Sequence, residues 1–361
     1  MILSNLSEKK IAIIASSINP IKQAHLLQWY KDLSNEDKNF QLFLGSVNKA
    51  IPYAKNYKVY LKKDKLYYLL KGKIPNKIQP LIDFNPKIIH LLTSNSFQSI
   101  EDVLSNDIKL VVSFRGFDLN VFPHISDENL QLTLRIFEKA TILHFISEDL
   151  KKTAIRIGAN PNKCIVIHRS LNVSSSETGQ ILKDELVIST IGRLVWEKGY
   201  IYALEAMSIL KERNYQFKYY IAGNGADEYL LRFHIKRLNL ESEVILKGEL
   251  SKDGVKELLK RSDIYFQPSL SEALSNAIIE ASFFKLPVVS SNIGGIPEVI
   301  ENNISGFLSS ICKPNDYADS LIKLIESKEL RLQMGQKGHE IIKEKFDRVK
   351  ELKKWMLIYK I

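Results

Sequence analysis

The sequence predicts an α/β protein made of two doubly wound parallel-sheet domains, and three observations predict it. Short β-rich runs recur along the chain as near-continuous apolar stretches, the mark of strands buried on both faces. Segments with helical spacing, such as KGYIYALEAMSILKE (198–212) and DGVKELLKRS (253–262), lie between them. A polar gap without apolar rhythm, NVSSSETGQILKDE (172–185), divides the alternation into halves. The 361 residues, 45% apolar, are enough for two cores and too many for one ordinary core.

In order, the first half offers strands at IAIIAS (11–16), FQLFLG (40–45), KIIHLLT (87–93), LVVSF (110–114), ILHFIS (142–147) and CIVIH (164–168). The second half offers LVISTIG (186–192), KYYIAG (218–223), VILKG (244–248), DIYFQPS (263–269) and PVVSS (287–291). The final stretch, from Arg331 to Ile361, reads as one or two helices. The expected division is a domain over 1–172, a linker near 170–184, a domain over 184–338, and a last helical segment over 339–361 that packs back on the first domain. In open parallel sheets ligands bind beyond the carboxyl ends of the strands, so functional motifs should follow strands.

Composition narrows the class. No apolar run approaches the roughly 18 residues of a membrane span. The start, MILSNLSEKKIAIIAS, puts Glu8, Lys9 and Lys10 before a short apolar run, so it reads as a first strand rather than a signal peptide. Two cysteines, Cys164 and Cys312, are too few for a disulfide framework and fit a reducing cytoplasm. The net charge of +10 is uneven: the first 180 residues carry 24 Lys and Arg against 16 Asp and Glu, and the remainder 27 against 25. Residues 49–87 alone hold ten Lys and two Asp, mixed with Tyr57, Tyr60, Tyr67 and Tyr68. Such a segment suits the anionic inner face of a cell membrane or another polyanion, or is simply a solvated lysine-rich face. No nucleic-acid motif accompanies the charge, so nucleic acid is not an expected partner.

Five strand exits carry the chemistry. After LVISTIG come Arg193 and Lys198 between Gly192 and Gly199; a forked guanidinium and a mobile ammonium there can clamp a polyanion, or be two exposed cations of a surface loop. After KYYIA come Gly223 and Gly225, a weak signal because glycines often close such turns. After VILKG, the backbone near Glu249 and Leu250 could hold a planar base, though the residue types do not demand it. After DIYFQ, Pro268 ends the strand, Glu272 lies in the turn, and Ser275 or Asn276 is a natural cap for the helix AIIEASFF that contains Glu280. A helix start offers free N–H groups to an anion, and the two carboxylates can accept hydrogen bonds from hydroxyls at two ends of one ligand, or be two solvated acids. Gly294 and Gly295 follow the next strand, where Gly permits close backbone approach.

Together the segments GRLVWEKG, AGNG, PSLSEALSNAIIEA and GGIPEVIENNISGFL resemble the family-four retaining glycosyltransferases, over about residues 185–310. The resemblance implies the GT-B fold, two Rossmann-like domains facing a cleft. It implies a donor site in the second domain: Gly192, Arg193 and Lys198 on the diphosphate, Gly223 beside them, Leu250 against the base, and Glu280 on the ribose hydroxyls. Glu272 and the backbone of Ala273, Leu274, Ser275 and Asn276 would hold the donor sugar and phosphate, making Glu272, Arg193 and Lys198 the catalytic set. In the first half SFRGFD (113–118) resembles the family's H-G-x-D strand exit, with Arg115 in place of the histidine, and His90 resembles its I-H-x-H segment. His90, Arg115 and Asp118 are thus expected on the acceptor or sugar side. The implied activity is transfer of a hexose from a UDP- or GDP-linked sugar to a glycan or lipid-linked glycan for cell-surface polysaccharide, with retention, without cofactor and without metal, in the cytoplasm or on the inner membrane face. The altered first-half motifs leave one alternative, a catalytically weak subunit that binds a partner transferase or an acceptor protein.

Overall fold

The computed structural model describes residues 9–15, 24–36, 39–44, 57–59, 79–170 and 185–360. They fall into two compact units: Met1–Asn172 with Arg348–Ile361, and Val173–Asp347. The expected linker, apart from Ser170, and most of the lysine-rich stretch 49–87 lie outside the described residues.

The first unit holds a seven-stranded parallel sheet: β1 (Ile11–Ala15), β2 (Phe40–Leu44), β3 (Tyr57–Val59), β4 (Ile88–Leu91), β5 (Lys109–Phe114), β6 (Ile142–Phe145) and β7 (Cys164–Val166). Their order is β3-β2-β1-β4-β5-β6-β7, so the chain reverses direction across the sheet between β1 and β4. Ile13 of β1 stands between Leu42 of β2 and His90 of β4, and β1 is buried along its whole length, which explains its unbroken apolar run. The helices are α1 (Ala24–Glu36), α2 (Gln79–Phe84), α3 (Phe117–Asn120), α4 (Asp127–Lys139) and α5 (Glu148–Ile157). Local chemistry sets their ends. Ser126 and Ser147 cap α4 and α5 by accepting the N–H three residues on, acids follow in the first turn, and Gly158 ends α5 at φ +127°.

The second unit has six parallel strands: β8 (Val187–Ile191), β9 (Lys218–Ala222), β10 (Val244–Gly248), β11 (Ile264–Gln267), β12 (Val288–Ser291) and β13 (Gly306–Ser309). Their order, β10-β9-β8-β11-β12-β13, reverses between β8 and β11. Its helices are α6 (Tyr200–Glu212), α7 (Glu228–Arg237), α8 (Lys252–Arg261), α9 (Asn276–Phe283), α10 (Ile296–Val299), α11 (Pro314–Glu326) and α12 (Lys328–Lys345). Ile188, Tyr219, Phe266 and Tyr317 are buried together in its core.

The chain then returns to the first unit as α13 (Arg348–Ile358), where Trp355, Met356 and Tyr359 are buried among Ile13, Trp29 and Ile88. The return starts at Arg348 and not at the expected 339, because α12 is a single helix tied to its own unit. A Cβ at Gly335 would lie 1.9 Å from the Lys285 carbonyl oxygen, and the His339 Nδ1 donates to the Phe283 carbonyl at 2.6 Å. The short strands β3 and β13 are the additions to the sequence reading.

Candidate functional site

In the second unit every candidate follows the carboxyl end of a strand. Arg193 and Lys198 follow β8, Gly223 follows β9, Leu250 follows β10, and Glu272 to Asn276 follow β11. β8 and β11 are the neighbours at which the strand order reverses, and a doubly wound sheet opens a crevice there because its flanking helices leave to opposite faces.

Glycines bring these loops together. A Cβ at Gly199, whose φ is +66°, would sit 1.9 Å from the Pro268 carbonyl oxygen, so the loop after β8 lies against the loop after β11. The Leu270 N–H donates to the Glu197 carbonyl at 2.8 Å across the same contact. Gly294, at φ +57°, meets the Glu272 carbonyl so closely that a Cβ would be 1.7 Å from it, and the Gly295 N–H donates to that carbonyl at 3.2 Å. The Gly-Gly pair after β12 thus fixes the backbone of Glu272. On the far side, Gly223 abuts the Gly192 carbonyl and the Leu194 N–H donates to the Asn224 carbonyl at 2.8 Å.

The side chains follow the backbone. Lys198 Nζ and Glu272 Oε2 form an ion pair, their side chains 16% and 13% exposed. Gln267, fully buried at the end of β11, aims Nε2 at Glu272 Oε2 (3.1 Å), Ser269 Oγ (2.9 Å) and Ser275 Oγ (3.1 Å). Behind it, Tyr265 donates to Gln267 Oε1 at 2.8 Å and accepts the Ile191 N–H at 3.2 Å; burial holds its phenol well above the ordinary range, so it stays a donor. Ser275 is the cap of α9 and accepts the Ile278 N–H, which settles the choice between Ser275 and Asn276. Arg193 is exposed and makes no ion pair among the described residues. Glu280 lies in the second turn of α9, half-buried, with Tyr265 feeling its charge. Leu250, half-buried, precedes Ser251, the cap of α8. Gln267 and Tyr265 were not legible as site residues. The signal was present: a polar amide at the buried end of an apolar strand.

In the first unit the candidates separate. His90 does not reach the surface; it is fully buried on β4, and its expected place on the acceptor side is corrected by its contacts. Its Nδ1 lies 2.6 Å from the Tyr359 hydroxyl and its Nε2 2.8 Å from Ser113 Oγ. Ser113 Oγ is also 2.8 Å from His144 Nδ1, and His144 Nε2 is 3.0 Å from the Ile167 carbonyl. Burial lowers the His90 imidazolium pKa well below its usual value and that of His144 to about 3, so both rings are neutral. One assignment satisfies the set. A carbonyl only accepts, so His144 carries its proton on Nε2; Ser113 then donates to His144 Nδ1, His90 Nε2 donates to Ser113, and Tyr359 donates to His90 Nδ1.

Asp118 is also buried. Its Oδ1 accepts the N–H groups of Arg115 and Gly116, both at 2.9 Å, so it shapes the turn after β5, and burial raises its pKa. Arg115 donates from Nε to the Leu92 carbonyl at 2.8 Å and lines a cavity with Arg169, Arg348, Asp32, Glu351 and Trp355. At about 40 Å³ it has room for a few waters. Among the described residues no group of three His, Cys, Asp or Glu side chains could hold a metal ion, and no helix is long and apolar enough to cross a membrane.

Residues 175–341 match the model of the family described as glycosyl transferases group 1. That match takes in nearly the whole second unit, which is thus similar to the group 1 glycosyltransferases. It is 33% identical over 236 residues to the amylovoran biosynthesis glycosyltransferase AmsK of Erwinia amylovora, covering 63% of this chain and 56% of that protein. It is 26% identical over 272 residues to the N-acetyl-alpha-D-glucosaminyl L-malate synthase of Bacillus anthracis, covering 72% of this chain and 69% of that one. The chain therefore spans between half and about two thirds of these relatives. Among solved structures it resembles Anabaena HepE in complex with UDP and glucose, with a TM-score of 0.78 at 17% identity over 97% of this chain and 99% of that one. That likeness shows the fold, which is GT-B.

Proposed function

We propose that this chain is a group 1 glycosyltransferase that moves a hexose, with retention and without a metal ion, from a UDP- or GDP-linked sugar to a glycan or lipid-linked glycan in polysaccharide synthesis. The observation that carries the reading is the Lys198–Glu272 pair at the sheet's reversal point, with exposed Arg193 and the start of α9 beside it. A relative named for amylovoran biosynthesis, and a structural neighbour solved with UDP and glucose, support it.

The chemistry follows from the charges. As the bond between the sugar C1 and the diphosphate oxygen breaks, negative charge grows on the leaving group. Lys198, Arg193 and the first N–H groups of α9 would meet it, and fixed donors help the transition state most. The acceptor hydroxyl forms the new bond on the face the phosphate leaves, and its proton passes to a phosphate oxygen, so no protein nucleophile is required. Glu280 would take the ribose hydroxyls, and Glu272, released from Lys198, the sugar hydroxyls.

The test is calorimetry with UDP and GDP followed by turnover of a nucleotide-sugar panel, with product anomers read by NMR and chelator added. One nucleotide should bind, the product should keep the donor's anomeric configuration, and chelator should change nothing. Undiminished turnover in Lys198→Ala and Glu280→Ala would overturn the reading. Failure of both nucleotides to bind would favour a non-catalytic partner subunit.

A further inference from the structure

Helix α7 is anchored on one side and bare on the other. Leu231 and Ile235 are buried in the core of the second unit. The opposite face exposes three large apolar side chains within five residues: Tyr229 at 86%, Phe233 at 60% and Leu230 at 43%. Tyr229 and Phe233 are four apart and stand on one stripe, which Lys236 and Arg237 continue. Arg232 flanks the stripe, exposed and, among the described residues, paired only with Glu228 one turn earlier. The outward face is thus an aromatic centre with cations along its length. Trp196, 62% exposed, stands two residues beyond Leu194, whose carbonyl accepts the Asp227 N–H at the mouth of α7.

We propose that this face docks the second unit on an anionic lipid bilayer. Two arguments choose a bilayer over a protein. A ten-residue helix is only about 15 Å long and offers three apolar anchors, well short of the twenty or so residues a stable protein interface uses on each side. A bilayer demands no shape complementarity; it takes aromatic rings at the headgroup level and Lys or Arg beside them. The position has a consequence that rests on the proposed transferase reading. α7 follows directly from the Gly223–Gly225 turn, which abuts Gly192 and Leu194 of the donor loop. Docking through Tyr229 and Leu230, in the first turn, brings that edge of the sheet close to the headgroup layer, where a lipid-linked acceptor presents its sugar.

The experiment is co-flotation of the full chain with phosphatidylcholine vesicles, with and without phosphatidylglycerol, at low and high salt. The wild type should float with the anionic vesicles at low salt and be released by salt. Tyr229→Ser/Phe233→Ser and Lys236→Glu/Arg237→Glu should each lower the bound fraction about tenfold, with unchanged thermal unfolding and unchanged nucleotide binding by calorimetry. The comparison chain is Lys62→Glu/Lys63→Glu/Lys65→Glu, in the lysine-rich segment. The proposal is overturned if the α7 variants float like the wild type, if only the 62–65 variant loses binding, or if the wild type does not float. It is also overturned if the α7 variants abolish a dimer seen by size exclusion, which would assign the face to a second copy. Vesicle binding is read without turnover, so loss of nucleotide binding would sink the transferase reading and leave this one standing.

Discussion

Each unit carries a line of buried polar groups, and the two lines end differently. In the first, Tyr359, His90, Ser113 and His144 pass hydrogen bonds in one direction and stop at the Ile167 carbonyl. Every donor hydrogen and both ring acceptors are used, and no net charge is present. In the second, Tyr265, Gln267 and Ser275 lead outward from the sheet and stop at Glu272 and Lys198, half-buried and charged. The closed line has nothing to offer a ligand. Its worth lies in fixing the last helix on the sheet, because an unmade bond inside a core costs the whole desolvation of the group. The open line ends in a pair that water already reaches, so a diphosphate can replace one partner at modest cost. The difference predicts where damage appears: as stability in the first unit and as turnover in the second.

The largest effect should come from Lys198→Ala. Turnover is expected to fall about 10²–10³-fold, as when one fixed donor to a developing charge is removed, while thermal unfolding barely moves. A loss of stability with proportionate loss of activity would break the comparison, since the pair would then be structural. Gly294→Ala comes next and should couple the two readouts. A Cβ there is both left-handed and 1.7 Å from the Glu272 carbonyl, so the loop must shift. The expected cost is about 3 kcal/mol, a fall of roughly 10 °C in Tm for a unit of this size, with weakened nucleotide binding. Unchanged nucleotide affinity would show that the Gly-Gly turn does not position Glu272.

How far these lines were legible in the sequence follows from their span. The open line is built from strand exits, and each exit is written in a few adjacent residues: GRLVWEKG, AGNG, PSLSEALSNAIIEA and GGIPE. Backbone geometry after a parallel strand is local, so residue type and position sufficed to bring Lys198 and Glu272 into one frame. Gln267 escaped because a glutamine inside FQPS carries no mark of the bonds it makes behind the turn. The closed line was illegible for a different reason. His90 and Tyr359 are 269 residues apart, and nothing near either announces the other. A histidine on a strand resembling a known motif was therefore read as facing a substrate, when packing against Trp29 and Trp355 had placed it in the core. The short strand β13 was missed because GFLS begins with a glycine and has little apolar length.

Acidification should then separate the units. His90 and His144 are neutral and buried in the folded chain, while their unfolded values lie near 6.5. Below that pH the unfolded chain binds more protons, so stability present above about pH 6.5 is lost progressively toward pH 3. Burial raises the Asp118 pKa and gives the opposite sign, but it is one group against two. Arg115 lies near both rings and His168 near His144, and both push in the same direction as burial. The second unit has one comparable ring, His339, also lowered by burial. Unfolding followed by tryptophan emission, with Trp29 and Trp355 in the first unit and Trp196 in the second, should show the first unit losing about 2 kcal/mol per pH unit below pH 6. Equal loss in both units would break the comparison. Ser113→Ala should cost about 2 kcal/mol at neutral pH, because it strands His90 Nε2–H and His144 Nδ1 together, and it should shrink the acid dependence.

The smallest change sharpens the assignment most. Tyr359→Phe removes only the first donor of the closed line. His90 Nδ1 loses its partner, while the bonds from His90 Nε2 through Ser113 and His144 to Ile167 remain. The expected loss is about 1 kcal/mol, with turnover unchanged, because every group in the line is buried in the core of the first unit. Nitrogen chemical shifts of the two rings supply the decisive readout. In the wild type both should be neutral Nε2–H tautomers at pH 7, with the His90 Nδ1 resonance shifted by its hydroxyl donor. In Tyr359→Phe that one resonance should move toward the value of a free imidazole acceptor, and the His144 signals should stay. If His90 instead titrates near pH 6.5 in the wild type, or carries its proton on Nδ1, then the direction of every bond in the line is reversed or broken. The claim that the first unit spends its polar groups on its own fold would then lose its basis.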